Sequence, residues 1–105
     1  MKVLFVWFRR NDLTHDQALA EWSGKRHTSA VRKVPGLKKW IQNHARELPN
    51  TTAADGIGEL WFETAETMQQ AMASAEMAAA LEDGKKFADL ERTYALVVDE
   101  QAVMG

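Results

Sequence analysis

The sequence contains no cysteine. Disulfide bonds, thiolate metal sites, iron–sulfur clusters and a cysteine nucleophile are therefore excluded. The formal net charge of −2 lacks the basic excess that phosphate binding needs, so we expect no nucleic-acid partner. The apolar run over residues 3–8 is too short for a signal peptide, and far shorter than the roughly 20 residues of a membrane-spanning helix. We expect a soluble protein without a membrane partner, located in a reducing cytoplasm.

Aromatic and aliphatic residues are well represented in spite of these absences. The 105 residues include four Trp and four Phe, and 46% of the chain is hydrophobic. A disordered chain does not carry so much apolar surface. The length suits one domain, and we expect residues 1–105 to form it, with a core that a second copy could complete.

The order of secondary-structure signals predicts an α+β fold. Residues 3–8 are β-branched and aromatic on both faces, which is typical of a central strand. Thr14 and Gln17 form a capping box for a helix that should run to about Lys33, before Pro35. We predict three further strands, over 37–46, 56–63 and 93–99, and a surface loop over 48–55. A second helical segment begins at Thr64, and Ser74 interrupts it and caps its second part. That second part carries an apolar stripe of Met77, Leu81 and Phe87.

This order is β-α-β-β-α-β, the ferredoxin-like arrangement of a four-stranded antiparallel sheet with helices on one face. The opposite face would carry apolar residues such as Ile57 and Trp61 without a cover. An uncovered apolar face commonly marks an interface. We therefore expect a homodimer in which these faces pack together.

Several segments also resemble a known family. They are the first strand with Arg9 and Arg10, the helix motif over 22–27 (WSGKRH), Val-Pro-Gly-Leu over 34–37, the strand motif over 55–62 (DGIGELWF), and Asp83 with Phe87 before the last strand. In this order and spacing they resemble the EthD family of the dimeric α/β-barrel superfamily, from about residue 2 to residue 103. The resemblance implies a homodimeric barrel, with a small-molecule site in the cleft between helices and sheet. It also implies an activity often classed as oxidoreductase.

His27 is the candidate catalytic residue. On the helix predicted above it lies within the apolar arc, where its imidazole would face the cleft as a general acid or base. A core histidine bound to a backbone carbonyl is the alternative, and the resemblance favours function because His27 falls on the histidine of the helix motif. Desolvation should keep the ring neutral at pH 7, unless the fold brings in a carboxylate such as Asp83.

The candidate substrate-binding residues are mainly aromatic. By the resemblance, the cleft-facing side of the sheet carries Phe5, Trp7, Trp40 and Leu60, a lining suited to an apolar or aromatic ligand. His44 shares a strand face with Trp40 and is a further candidate, with a merely solvated edge histidine as the alternative. We expect His15 to lie on the surface, and the pairs Arg9-Arg10, Lys38-Lys39 and Lys85-Lys86 to be solvated.

The sequence predicts neither a metal nor a cofactor. No two histidines have the i, i+4 spacing that brings two ligands together on a helix, and no glycine-rich phosphate loop is present. Gly56 and Gly58 lie in a strand, where they could make room for a ligand or for a packed ring of the first helix.

Two functions remain open at this stage. The first is a cofactor-independent catabolic or biosynthetic enzyme that acts on a hydrophobic or aromatic small molecule, by proton transfer (an isomerase) or by oxygenation (a monooxygenase). The second is a non-catalytic accessory protein that binds or delivers a hydrophobic intermediate. Related polyketide cyclases have a Tyr and a His where this chain has Ala71 and Met77, and related isomerases have a Cys where it has Leu60, so neither activity carries over directly.

Overall fold

A computed structural model of the protein describes residues 1–105. Four strands and four helices follow one another in this order: β1 (Lys2–Trp7), α1 (His15–Trp22), α2 (Lys25–Arg32), β2 (Lys39–His44), β3 (Gly56–Trp61), α3 (Ala65–Met72), α4 (Ala75–Gly84) and β4 (Tyr94–Val98). The strands form one antiparallel sheet in the order β2-β3-β1-β4. The predicted ferredoxin-like α+β fold is confirmed, and the apolar β1 lies inside the sheet as expected. None of the helices combines the length and apolar character needed to cross a membrane.

The first helical region differs from its prediction. In place of one helix from Thr14 to about Lys33, the structure has α1 and α2 with a break at Ser23 and Gly24. A Ser-Gly pair favours a turn, and glycine is a poor helix former. Gly24 begins α2 with an extended backbone, where a Cβ would lie 3.1 Å from the Ala20 carbonyl oxygen. The break separates α2 from α1.

The caps behave largely as the sequence predicts. Thr14 and Thr64 each form a capping box, and the Ser74 hydroxyl accepts a hydrogen bond from the Met77 amide, which begins α4. The predicted apolar stripe that included Phe87 is wrong in one respect. α4 ends at Gly84, and Phe87 lies in the turn that follows it.

The core lies between the helices and one face of the sheet, in two clusters. The larger joins β1 and β3 to α3 and α4, and comprises Val3, Val34, Leu60, Phe62, Met68, Ala71 and Met77. The smaller joins the end of β1 to α1 and to the turn after α4, and comprises Trp7, Ala18, Trp22, Phe87 and Ala88. A cleft opens where the two clusters adjoin, beneath α2 and α4.

Candidate functional site

The cleft between the helices and the sheet is narrow and apolar. Its volume is about 80 Å³, and 13 of its 17 lining residues are hydrophobic. Four residues predicted as ligand contacts, Phe5, Trp7, Trp40 and Leu60, all line it. The strand register brings these side chains together, because Leu60 pairs with Val3 on one side and with Trp40 on the other. Phe5 and Trp7 lie two and four residues after Val3, on the same face of β1. A lining of this kind binds hydrophobic ligands through contact area.

Aromatic rings pack edge to face along the floor of the cleft. The Trp7 ring lies 5.0 Å from that of Trp22 and 5.1 Å from that of Phe87, centroid to centroid. Gly56 makes this packing possible, because a Cβ there would lie 2.6 Å from the Trp22 ring and 2.7 Å from Trp7 Nε1. A Cβ at Gly58 would make only an ordinary contact of 3.5 Å with Trp22. Gly56 therefore makes room for a ring of the first helix, one of the two roles expected for it.

His27 is the only titratable side chain that lines the cleft. The residue is 7% exposed, and its ring packs 4.9 Å from that of Phe87 and 6.2 Å from that of Trp40. The Nδ1 atom lies 2.9 Å from Oδ2 of Asp83, while Nε2 has no partner in the protein and is not fully enclosed. The fold therefore brings Asp83 to His27, the carboxylate that the sequence analysis named as able to change its protonation.

Burial decides the protonation of this pair. Burial lowers the pKa of His27 from its ordinary 6.5 and outweighs the hydrogen bond to Asp83, which raises it. Burial would raise the pKa of Asp83, but hydrogen bonds from His27 and Arg26 outweigh it and hold the pKa below its usual range. The resulting state at pH 7 is a neutral imidazole beside an ionised carboxylate, as predicted for His27.

A second polar cluster corrects three expectations. His15 is not a free surface residue: Nδ1 lies 2.6 Å from Asp55 Oδ1, and Nε2 lies 2.7 Å from the Ala45 carbonyl oxygen. Arg9 is not merely solvated, because its guanidinium and its backbone amide both donate to Asp55. Asp55, expected in a surface loop, is 1% exposed. No local pattern indicated this cluster, since Arg9 and His15 are at least 40 residues from Asp55 along the chain.

His15 and Asp55 form a charged pair. Both nitrogens of His15 face acceptors, so both bonds require a doubly protonated ring. Burial lowers the pKa of His15, but the hydrogen bonds to Asp55 and Ala45 outweigh it and raise the pKa above 6.5. Burial likewise would raise the pKa of Asp55, and the bonds from His15 and Arg9 lower it instead. The cluster ties the start of α1 to the ends of the β2–β3 loop and has no free group for chemistry.

The structure places His44 outside the cleft. Its side chain is exposed, its ring centroid lies 5.0 Å from that of Trp22, and its Nε2 lies 2.9 Å from Oε1 of Gln42. His44 is thus separate from the other candidate residues. No group of three His, Asp or Glu side chains is arranged to hold a metal ion.

Residues 10–91, which include both His27 and Asp83, match a family model described as the EthD domain. The chain belongs to the EthD family. The family assignment made from sequence motifs is confirmed. The match begins after β1 and ends before β4, so Phe5 and Trp7 of the EthD cleft lie outside the matched region.

Solved structures share the fold of this EthD protein. An EthD family protein from Bacillus halodurans C-125 is 24% identical, with a TM-score of 0.75, over 96% of this chain and 99% of that one. A dimeric protein of ferredoxin-like fold from Bacteroides fragilis is 11% identical, with a TM-score of 0.65 over 90% of each chain. A variant of SnoaB, a cofactor-independent oxygenase from Streptomyces nogalater, is 11% identical, with a TM-score of 0.60, over 97% of this chain and 96% of that one. At these identities the likeness establishes the fold. No curated protein matches the sequence significantly.

Proposed function

We propose that this EthD protein is a small cofactor-independent enzyme that acts on a hydrophobic or aromatic small molecule, with His27 as its general base. One observation carries the proposal: a buried, neutral imidazole with an unpartnered Nε2 is the only titratable group in an apolar cleft. Most buried polar side-chain atoms have a hydrogen-bond partner in the protein, so the free Nε2 of His27 supports a role toward a bound molecule. The likeness in fold to a cofactor-independent oxygenase supports the same class of chemistry.

The chemistry available to this arrangement is proton removal. Nε2 accepts a proton from a weakly acidic O–H or C–H group of the bound molecule, and the imidazolium that forms is stabilised by Asp83. The imidazolium can then return the proton to another carbon of the anion, which is isomerisation, or the anion can react with dioxygen, which is oxygenation. The aromatic walls exclude water and hold the reacting group near His27.

The size of the cleft limits the ligand. A volume of about 80 Å³ is well below the roughly 300–1,000 Å³ of typical ligand sites, so it holds one small ring or the end of a larger molecule. Leu81 lines the cleft and is 37% exposed, which places an opening at α4. A larger substrate would extend through this opening into solvent.

Exchange of a carbon-bound hydrogen tests the proposed proton removal. In D₂O, the protein should catalyse replacement of the α-hydrogens of phenylacetone by deuterium, followed by ¹H NMR. His27→Gln should lower this rate by about 10²–10⁴-fold, as is usual for a general acid–base group. Lys25→Gln is the control, because Lys25 is exposed on the same helix.

The same experiment separates the enzyme from the alternative. Equal exchange rates for wild-type protein and His27→Gln would contradict a base role. If phenylacetone still binds, as shown by shifts of the Trp indole signals, the result favours an accessory protein that carries a hydrophobic molecule. An oxygen electrode distinguishes the two enzyme types, because only oxygenation consumes dioxygen.

We also propose that the protein is a homodimer. The sheet face away from the helices carries Tyr94 and Leu96 on β4, which are 50% and 46% exposed, and Ile57 and Trp61 on β3, with β1 between the two strands. Exposed apolar surface of this kind is uncommon on a monomer. The dimeric protein from Bacteroides fragilis, which shares the fold, supports this assembly.

Sedimentation equilibrium at micromolar concentration tests the homodimer. We expect twice the 11.8 kDa mass of one chain. Leu96→Arg should shift the mass toward one chain, whereas Ala79→Arg, at an exposed position on α4, should not. A wild-type mass of a single chain would contradict the proposal.

A further inference from the structure

The carboxylate of Asp83 has a different neighbour on each oxygen. Oδ2 lies 2.9 Å from Nδ1 of His27, and Oδ1 lies 2.8 Å from Nε of Arg26 and 3.5 Å from Nζ of Lys86. The Asp83 side chain is 11% exposed, while Arg26 is half exposed and is held in turn by Glu21 at 2.7 Å. Asp83 therefore stands between the buried imidazole and cations at the surface.

This geometry determines which nitrogen of His27 carries the proton. An ionised carboxylate can only accept, so Nδ1 must donate to it. A neutral imidazole has one N–H, which leaves Nε2 with its lone pair. No other charged or titratable side chain lines the cleft to alter that state. Arg26 and Lys86 favour the ionised form of Asp83, because a neutral carboxyl would lose both ion pairs.

We propose that Asp83, which Arg26 keeps ionised, is a positioning residue that holds His27 with its Nε2 lone pair toward the cleft. The cleft is thereby selective for neutral ligands that donate a hydrogen bond. The inference rests on the proposed function, since it gives the same His27 site a ligand class. Carboxylates are excluded, because an anion in this cleft would meet a lone pair and no cation. Phenols, enols and related weak acids present the matching O–H group.

Asp83 and Arg26 shift the pKa of His27 in opposite directions. Asp83 raises the pKa of His27, and the nearby charge of Arg26 lowers it. Asp83→Asn should therefore lower the pKa of His27 further, whereas Arg26→Gln should raise it. General damage to the fold would not produce shifts of opposite sign.

NMR of the ligand-free protein tests the positioning role, whatever reaction the protein catalyses. With ¹⁵N-labelled histidine, the ring of wild-type His27 should show a protonated Nδ1 and an unprotonated Nε2 at pH 7.5. Asp83→Asn should give a mixture of tautomers and a lower pKa, and Arg26→Gln a higher pKa. Glu82→Gln is the control, because Glu82 is exposed beside Asp83 and pairs with Lys85. A protonated Nε2 in the wild-type ring, or shifts of the same sign in the two variants, would overturn the proposal.

Binding of three matched probes tests the ligand class. Phenol and toluene have nearly the same shape and differ in the hydroxyl, and benzoate carries the charge. Trp indole shifts at pH 7.5 should show phenol binding several-fold more tightly than toluene, and benzoate more weakly than both. Asp83→Asn should reduce the preference for phenol. Equal affinities, or preferred binding of benzoate, would overturn the selectivity, while loss of deuterium exchange alone would count only against the proposed function.

Discussion

His15 and His27 should give the free energy of unfolding opposite dependences on pH. Each ring nitrogen of His15 faces an acceptor, so the structure favours the charged ring, whereas burial of His27 favours the neutral ring. The perturbations are His15→Gln and His27→Gln, which remove one titrating ring each. Thr14→Ala is the control, because it removes a helix cap worth about 1 kcal/mol without a titratable group.

The sign follows from the two pKa shifts. The pKa of folded His15 lies above the unfolded value of 6.5, so its stabilisation is complete below pH 6.5 and is lost as the pH rises through the folded pKa. The pKa of folded His27 lies below 6.5. Above pH 6.5 the ring is therefore uncharged in both states, and its ionisation does not change the free energy of unfolding. As the pH falls from 6.5 toward the folded pKa, the unfolded state takes up the proton first and the fold loses stability.

The magnitude for His15 comes from its charged hydrogen bond to Asp55, whose side chain is 2% exposed. A bond to a charged group contributes about 1.5–3 kcal/mol, and partial exposure of His15 favours the lower end. His15→Gln should therefore cost about 1.5 kcal/mol more at pH 5.5 than at pH 8.5. His27→Gln should cost less at pH 5.5 than at pH 8.5.

Urea unfolding followed by Trp fluorescence, at one protein concentration and at pH 5.5, 6.5, 7.5 and 8.5, measures these costs. The cost of Thr14→Ala should stay constant across the series. A cost of His15→Gln that is constant or rises with pH would refute the charged-ring assignment. A cost of His27→Gln that grows toward low pH would refute the neutral-ring assignment.

Two further predictions concern stability. Gly56→Ala should cost about 1–3 kcal/mol of unfolding free energy, because the added Cβ would overlap the Trp22 ring. Gly58→Ala should cost less than about 1 kcal/mol. Similar costs for the two variants in urea unfolding would contradict the packing of Trp22 against Gly56. Asp55→Asn should cost about 1.5–3 kcal/mol, since it removes the charge that pairs with the partly exposed Arg9 and His15, and hydrogen exchange should show opening of the β2–β3 loop. A cost below about 1 kcal/mol would mean that this cluster does not hold the loop.

Short-range patterns in the sequence determined most of the strands and helices. The apolar run of β1 predicted a central strand, and the Thr14 and Ser74 caps predicted helix starts, because each depends on neighbours a few residues away. Alternation predicted which residues of a strand share a face, and the family resemblance indicated that Phe5 and Trp40 face the cleft. The break at Gly24 also had a local signal, in the Ser-Gly pair, but the apolar spacing on both sides of it favoured one continuous helix.

The tertiary structure alone decided how polar groups pair. Asp83 lies 56 residues from His27, and Asp55 lies 40 from His15, so no spacing rule relates them. Their contacts depend on the packing of α2 against α4 and on the register that closes the β2–β3 loop onto the end of β1. The sequence could show that a carboxylate near His27 would raise the pKa of the ring. How far burial lowers that pKa against the effect of Asp83 depended on the folded chain. Because both effects arise only when distant segments exclude water together, the protonation of the two histidines is a property of the assembled fold.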